Sequence, residues 1–215
     1  MRWRFSHMGE AAILAEAETA DHPAANRIAL GAAAALEAEG PPWLTAAVPA
    51  IASLLVCFEP LAMSHAAVEA RLRALLSVSG EAAAPGRVVE IAVRYGGAAG
   101  PDLEEVAQIL GLTPAEVVAL HTAEPLRVMM IGFAPGYPYI GPLPPALHLP
   151  RRATPRQAVP AGSVAIAAGL SGIYPARLPG GWHLIGRTEA RLFDPATDPP
   201  ALLAPGDLVQ FVAIP

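Results

Sequence analysis

The chain contains no lysine; all 14 of its basic residues are arginine. Without a flexible, titratable ammonium, a Walker A phosphate loop, a Schiff-base enzyme, a biotin attachment site and a Ser/Lys amidase are all excluded. Anions must be met by arginine or by backbone amides. Cysteine is almost as scarce. Cys57 stands alone in the apolar run Ser53-Leu-Leu-Val-Cys-Phe58, so no intrachain disulfide can form and a reducing, cytoplasmic setting is expected. A buried structural thiol is favoured there over a nucleophile. The start, Met1-Arg-Trp-Arg-Phe-Ser-His-Met8, has no long apolar stretch, so no signal peptide is expected. Uninterrupted apolar runs are also missing. Residues 40–58 are broken by Pro41, Pro42 and Pro49, and residues 128–150 by six prolines, so no membrane-spanning helix is expected from either. The six histidines show no i,i+4 pair and no zinc spacing, so no metal site is expected.

What is present suits a folded chain. Apolar residues make up 53% of 215 residues, enough for one large domain or two small ones. The 24 prolines and 19 glycines mark many turns rather than low-complexity sequence. The net charge of −5 is uneven. Residues 1–126 carry 7 Arg against 15 acids, residues 127–191 carry 7 Arg against one acid, and the remainder carries three acids. A basic middle in an acidic chain fits a local anion site better than a nucleic-acid surface, and no nucleic-acid partner is expected.

Patterning gives a coarse order of elements. Residues 11–16 alternate as a strand, and Asn26 offers an N-cap for an alanine-rich helix ending near Glu39-Gly40. Residues 53–58 read as a strand, and residues 66–76 as a helix with Val68, Leu72 and Leu75 on one side. The small and helix-breaking residues 79–86 are the best linker, which puts domains at 1–84 and 85–215. Beyond it, residues 88–95 alternate as a strand. Asp102 caps a short helix through Leu110, and Thr113-Pro-Ala-Glu116 is a capping box opening a second helix. From Arg127 on, apolar runs at 128–133, 163–168, 182–185 and 208–214 are separated by Gly/Pro loops, as in a sandwich or barrel.

Chemistry concentrates in long loops, which usually carry function. These are Gly132-Phe-Ala-Pro-Gly-Tyr-Pro-Tyr-Ile-Gly141, Pro150-Arg-Arg-Ala-Thr-Pro-Arg156, Val159-Pro-Ala-Gly-Ser163 and Pro179-Gly-Gly-Trp-His-Leu-Ile-Gly-Arg-Thr188. Arg151, Arg152 and Arg156 offer bidentate contacts to carboxylate or phosphate. A proline-stiffened barrel crossover with solvated arginines explains the same residues equally well. Ser163 lacks the second glycine of a nucleophile elbow and reads as an ordinary strand-start serine. His121 reads as an exposed helix-end histidine.

On these motifs the chain resembles the KipI family, also described as allophanate hydrolase subunit 1 or as the B-type subunit of bacterial 5-oxoprolinase. The resemblance extends to Arg94-Tyr-Gly-Gly97, Gly100-Pro-Asp-Leu-Glu-Glu-Val-Ala107, Ile173-Tyr-Pro175 and Pro205-Gly-Asp-Leu-Val-Gln-Phe211. It implies an α+β chain, with a small N-terminal α/β domain followed by a cyclophilin-like β-barrel. It also implies a subunit that works with a larger KipA, or allophanate hydrolase subunit 2, type subunit and a LamB/YcsF type subunit to cleave 5-oxo-L-proline to L-glutamate, using ATP as the cofactor of the complex. The isolated chain is expected to be inactive. The family's other implied role is inhibition of a sensor histidine kinase; a prolyl isomerase rests on fold analogy alone. Two places depart from the family pattern. Ala168-Gly-Leu-Ser-Gly172 stands where Gly-Gln-Thr-Gly is usual, and Arg177-Leu-Pro179 where Glu-Ser-Pro is usual.

The expected site comprises Arg152 and Arg156 as anion ligands, Tyr137 and Ser163 as hydrogen-bonding groups, and Gly136, Gly180 and Gly181 as positions where backbone approaches a ligand. In an extended segment, residues i and i+4 share a face, so the two guanidiniums should point into one groove.

Overall fold

A computed structural model describes residues 1–78 and 86–215. The chain divides into two compact units, Met1–Pro85 and Gly86–Pro215. The expected linker, apart from Gly86 and Arg87 beside it, and the expected boundary after residue 84 lie outside the described residues.

The first unit is an antiparallel four-stranded sheet with two helices. Its strands are β1 (Trp3–His7), β2 (Ala12–Ala17), β3 (Leu44–Pro49) and β4 (Ser53–Phe58), in the order β1-β2-β4-β3. The helices are α1 (His22–Glu39) and α2 (His65–Val78). Alternation in β4 turns Leu54, Val56 and Phe58 inward, where they meet Ala29, Ala32, Ala33 and Leu36 of α1 and Val68, Leu72 and Leu76 of α2. The opposite phase leaves Cys57 half-buried, outside this core. The alanines let α1 lie close on the sheet.

Asn26 does not cap α1. The helix starts one turn earlier, where the Asp21 carboxylate accepts from the Ala24 amide at 3.0 Å and Pro23 sits in the first turn. Asn26 is buried inside the helix and donates through Nδ2 to the Ala50 carbonyl at 2.9 Å. Gly40 closes the helix in the left-handed conformation, its amide donating to the Leu36 carbonyl.

The second unit is a closed seven-stranded barrel with two helices. Its strands are β5 (Val88–Tyr95), β6 (Leu126–Ile131), β7 (Pro138–Gly141), β9 (Ser163–Ala167), β10 (Leu170–Ile173), β12 (His183–Arg187) and β13 (Leu208–Ile214). They run β10-β7-β6-β13-β5-β12-β9 around the barrel, with β5 and β13 parallel. Outside it, β8 (Arg156–Val159) and β11 (Leu178–Gly180) form a two-stranded ribbon. Helices α3 (Leu103–Leu110) and α4 (Pro114–Thr122) pack Val106, Ala107 and Val117 into the barrel core with Ile91, Val93, Val128, Ile140, Ile166, Ile185 and Phe211. The Thr113–Glu116 capping box opens α4: Thr113 Oγ1 accepts from the Glu116 amide at 3.2 Å, and Glu116 Oε2 accepts from the Thr113 amide at 2.7 Å. The bonds that Glu116 Oε2 accepts from the Thr113 amide and from the Thr113 hydroxyl hold the Glu116 carboxyl below its usual pKa.

His121 is not an exposed helix end. It is fully buried, its Nδ1 2.7 Å from the Tyr95 hydroxyl and its Nε2 2.9 Å from Ser171 Oγ, with its ring over Phe211. The last turn of α4 packs against β13, so this face of the helix points inward. Burial pushes the imidazole down to about 3, and it stays neutral.

Candidate functional site

Asp102, at the start of α3, gathers the loop arginines. Its side chain makes no cap hydrogen bond on its own helix, contrary to the sequence expectation. Instead Oδ2 accepts from the Leu184 amide at 2.7 Å, and Oδ1 accepts from Arg156 Nη2 at 2.6 Å and from Arg152 Nη1 at 3.2 Å. Glu105, one turn along, takes a second contact from Arg152 Nη1 at 2.7 Å. Arg152 and Arg156 thus converge, but on carboxylates of their own chain. Their charges tie α3 to the loop ahead of β8. Arg156 Nη1 remains buried with no hydrogen-bond partner among the described residues.

Beside this network lies a cavity of about 250 Å³, lined by Phe133, Tyr137, Tyr139, Arg151, Pro155, Tyr174, Pro179, Gly180, Gly181 and Trp182. Its walls are aromatic and mutually braced. Tyr137 is the hub, meeting Phe133 at 5.4 Å, Tyr174 at 5.1 Å and Trp182 at 6.2 Å between ring centroids, each edge to face. Tyr139 closes the set against Trp182 at 5.8 Å. Such edge-to-face contacts stabilise by about 0.5–1.5 kcal/mol each beyond area burial, so the walls are stiff.

Burial raises the pKa of Tyr137, Tyr139 and Tyr174, keeping their hydroxyls protonated. Arg156 opposes that shift in Tyr174, and Arg151 opposes it in all three, so Arg151 is the positive charge that acts on every one of these phenols. It is exposed and makes no ion pair among the described residues.

The glycines of the expected site divide. Gly180 and Gly181 line the cavity. A Cβ on Gly180 would lie 2.0 Å from the Tyr174 hydroxyl, so only glycine lets that ring sit where it does. Gly136, at φ +75°, approaches Leu192 and Phe193 instead, and it does not line the cavity. Ser163 is buried at the start of β9, its carbonyl accepting from the Tyr174 amide at 3.0 Å; it is not a lining residue either. Tyr137 is at the centre, though it meets the cavity with the ring as much as with the hydroxyl.

Sequence reasoning left Tyr139, Tyr174, Trp182 and Arg151 out of the site. The structure separates the loop arginines: Asp102 and Glu105 take Arg152 and Arg156, and Arg151 is left over. Phe133 adds strain at the rim: it holds φ 70° and is exposed, a conformation that costs a side-chain-bearing residue free energy and marks functional loops.

Chemically the cavity offers flat apolar walls, protonated tyrosine hydroxyls and one free guanidinium. That set suits a small ring bearing a carboxylate. No described group there is a ready nucleophile, since the phenols are protonated.

Known proteins are similar to this chain in sequence and fold. The family described as carboxyltransferase domain, subdomain C and D, matches residues 3–203. A Bacillus subtilis (strain 168) protein, named as a 5-oxoprolinase subunit of the B type, is 38% identical over 228 aligned positions, covering 100% of this chain and 94% of that protein. An Escherichia coli O157:H7 protein of the same name is 56% identical over 126 residues, 59% of this chain and 58% of that one. Among solved structures, that of TTHA0988 superposes with a TM-score of 0.82 at 42% identity, covering 95% of this chain but 40% of the other.

Proposed function

The chain belongs to the carboxyltransferase domain, subdomain C and D, family, with the KipI proteins and the B-type subunits of 5-oxoprolinase, and from that premise we propose that it is the B-type subunit of a heteromeric ATP-dependent 5-oxoprolinase, converting 5-oxo-L-proline to L-glutamate. The observation that carries this reading is the aromatic cavity with Arg151 at its edge. A five-membered lactam lies flat against Tyr and Trp rings, its carboxylate takes the Arg151 fork, and its amide faces the tyrosine hydroxyls. A volume near 250 Å³ lies just below the usual range for ligand pockets and suits a ligand of only a few heavy atoms.

On this reading further subunits supply the chemistry. A lactam is a poor electrophile; phosphorylation of its oxygen by ATP, with release of ADP, activates the ring carbon. Water then adds to that carbon, the C–N bond breaks with a proton passing to the amine, and the acyl phosphate so formed is hydrolysed by a second water to glutamate and phosphate. This chain positions the ring and its charge. A larger KipA-type subunit and a LamB/YcsF type subunit supply the remaining groups. In support of this division, the matched region occupies 40% of the TTHA0988 chain, so that relative carries further sequence joined to it.

The test is a reconstituted three-subunit complex assayed for glutamate release, with wild-type chain and with Arg151→Ala. Release by the wild type, with KM for 5-oxo-L-proline raised about tenfold or more in the variant, supports the reading. No release by the wild type removes the function; an unchanged KM in the variant removes the site. Kinase inhibition without release would turn the assignment to the KipI-type inhibitor.

A further inference from the structure

A second groove, of about 610 Å³, opens on the outside of the barrel and shares no lining residue with the aromatic cavity. Three arginines line it: Arg94 of β5, Arg187 of β12 and Arg191. Arg94 and Arg187 are direct cross-strand partners in the antiparallel β12–β5 ladder, so both side chains stand on the same face. Like charges placed opposite each other destabilise a sheet. Ion pairs relieve this arrangement only in part. Arg94 meets Glu189 at 3.3 Å, but Glu189 is 89% exposed, and such a pair contributes little. Arg191 meets Asp194 at 2.7 Å. The Arg187 guanidinium has neither an ion pair nor a hydrogen bond among the described residues.

Between the arginines lies Thr188, 4% exposed. Its Oγ1 accepts from the Ala190 amide at 3.1 Å, and its O–H has no acceptor among the described residues. Three guanidiniums face two carboxylates, Glu189 on Arg94 and Asp194 on Arg191, and the Pro215 carbonyl takes Arg94 Nε at 2.8 Å; the unpaired Arg187 and the spare Thr188 hydroxyl leave a surplus of donors that an anion completes.

We propose that this groove binds a phosphoryl-bearing anion, with Arg187 and Arg94 as forked ligands, Arg191 at the edge and the Thr188 hydroxyl as a further donor. Arginine is the side chain for such an ion here, because its planar fork matches phosphate oxygens in pairs and the chain has no lysine. The net charge of −5 and the confinement of the arginines to one groove favour a small anion over a nucleic acid. The groove stands independently of the lactam cavity and of the 5-oxoprolinase reading.

The test is calorimetric titration of the purified full chain at low ionic strength with tripolyphosphate, orthophosphate, citrate and ATP. Saturable tripolyphosphate binding that weakens as salt is added is the expected result. Arg187→Ala and Arg94→Ala should each weaken it about tenfold or more, and Arg187→Lys, which keeps the charge but loses the fork, should weaken it by less. Arg27→Ala, the same loss of charge on α1 of the other unit, should leave it unchanged. Competition by ATP assigns the groove to a nucleotide's phosphates, and its absence to a non-nucleotide phosphoryl ligand; either supports the site. No saturable binding by tripolyphosphate overturns it, as does citrate binding equally well, or a loss with Arg27→Ala as large as that with Arg187→Ala.

Discussion

At the residue scale, His121 and Arg151 make opposite cases. His121 carries a charge-capable ring into the barrel core, and burial holds it neutral down to about pH 3. The folded chain therefore binds fewer protons than the unfolded chain below the ordinary histidine value of about 6.5, so this residue's contribution to stability falls as pH drops through that window. Between pH 7.5 and pH 5 the expected loss is about 2 kcal/mol, read as a lower urea midpoint. Proton NMR of the ring supplies a second reading that needs no variant. An imidazole titrating near pH 6.5 in the folded chain would contradict the burial account. Arg151, by contrast, is exposed and makes no ion pair among the described residues. Arg151→Ala should leave the melting temperature unchanged while raising the KM of the assembled complex. Arg177→Ala, at a residue that lines neither the aromatic cavity nor the arginine groove, should change neither.

At the element scale, the Asp102 network fixes the start of α3 to β12 and to the loop before β8. Removing its carboxylate leaves two guanidiniums without their shared partner and the Leu184 amide without an acceptor. Asp102→Ala should cost about 2–4 kcal/mol in chemical denaturation, at or below the range for fully buried pairs because both arginines keep about a quarter of their side-chain surface exposed. A loss below about 0.5 kcal/mol, the usual range for surface pairs, would contradict the hub. Thr113→Ala should cost about 1 kcal/mol through the lost cap on α4. Elements were legible where side chains alternate or caps are local. β4, β5, β13 and the box at Thr113–Glu116 follow from neighbours in sequence. β7 and β10 were hidden, because Pro138-Tyr-Ile-Gly141 and Leu170-Ser-Gly-Ile173 look like loop sequence. Pro138 is tolerated as the first strand residue, and Gly172 is needed because the Tyr137 hydroxyl fills the space of a side chain. The site was half legible for the same reason. The loops that carry it could be read, but the pairing of Arg152 and Arg156 with Asp102 is a contact across 50 and 54 residues that spacing does not contain.

At the scale of the whole molecule, the proposed function has this chain hold the lactam in its aromatic cavity while an assembly of subunits performs the chemistry. Among the described residues no helix is long and apolar enough to cross a membrane. Several large apolar side chains are exposed instead, Phe133 at the cavity rim among them. Co-expression with the larger KipA-type subunit should give a single species on size-exclusion chromatography, and separate elution at micromolar concentration would argue against a standing pair. The most direct measurement is glutamate release from 5-oxo-L-proline by the three purified subunits, repeated with each subunit and ATP omitted in turn. The account predicts release only from the complete mixture. Release by this chain alone, or undiminished release when this chain is left out, would contradict it.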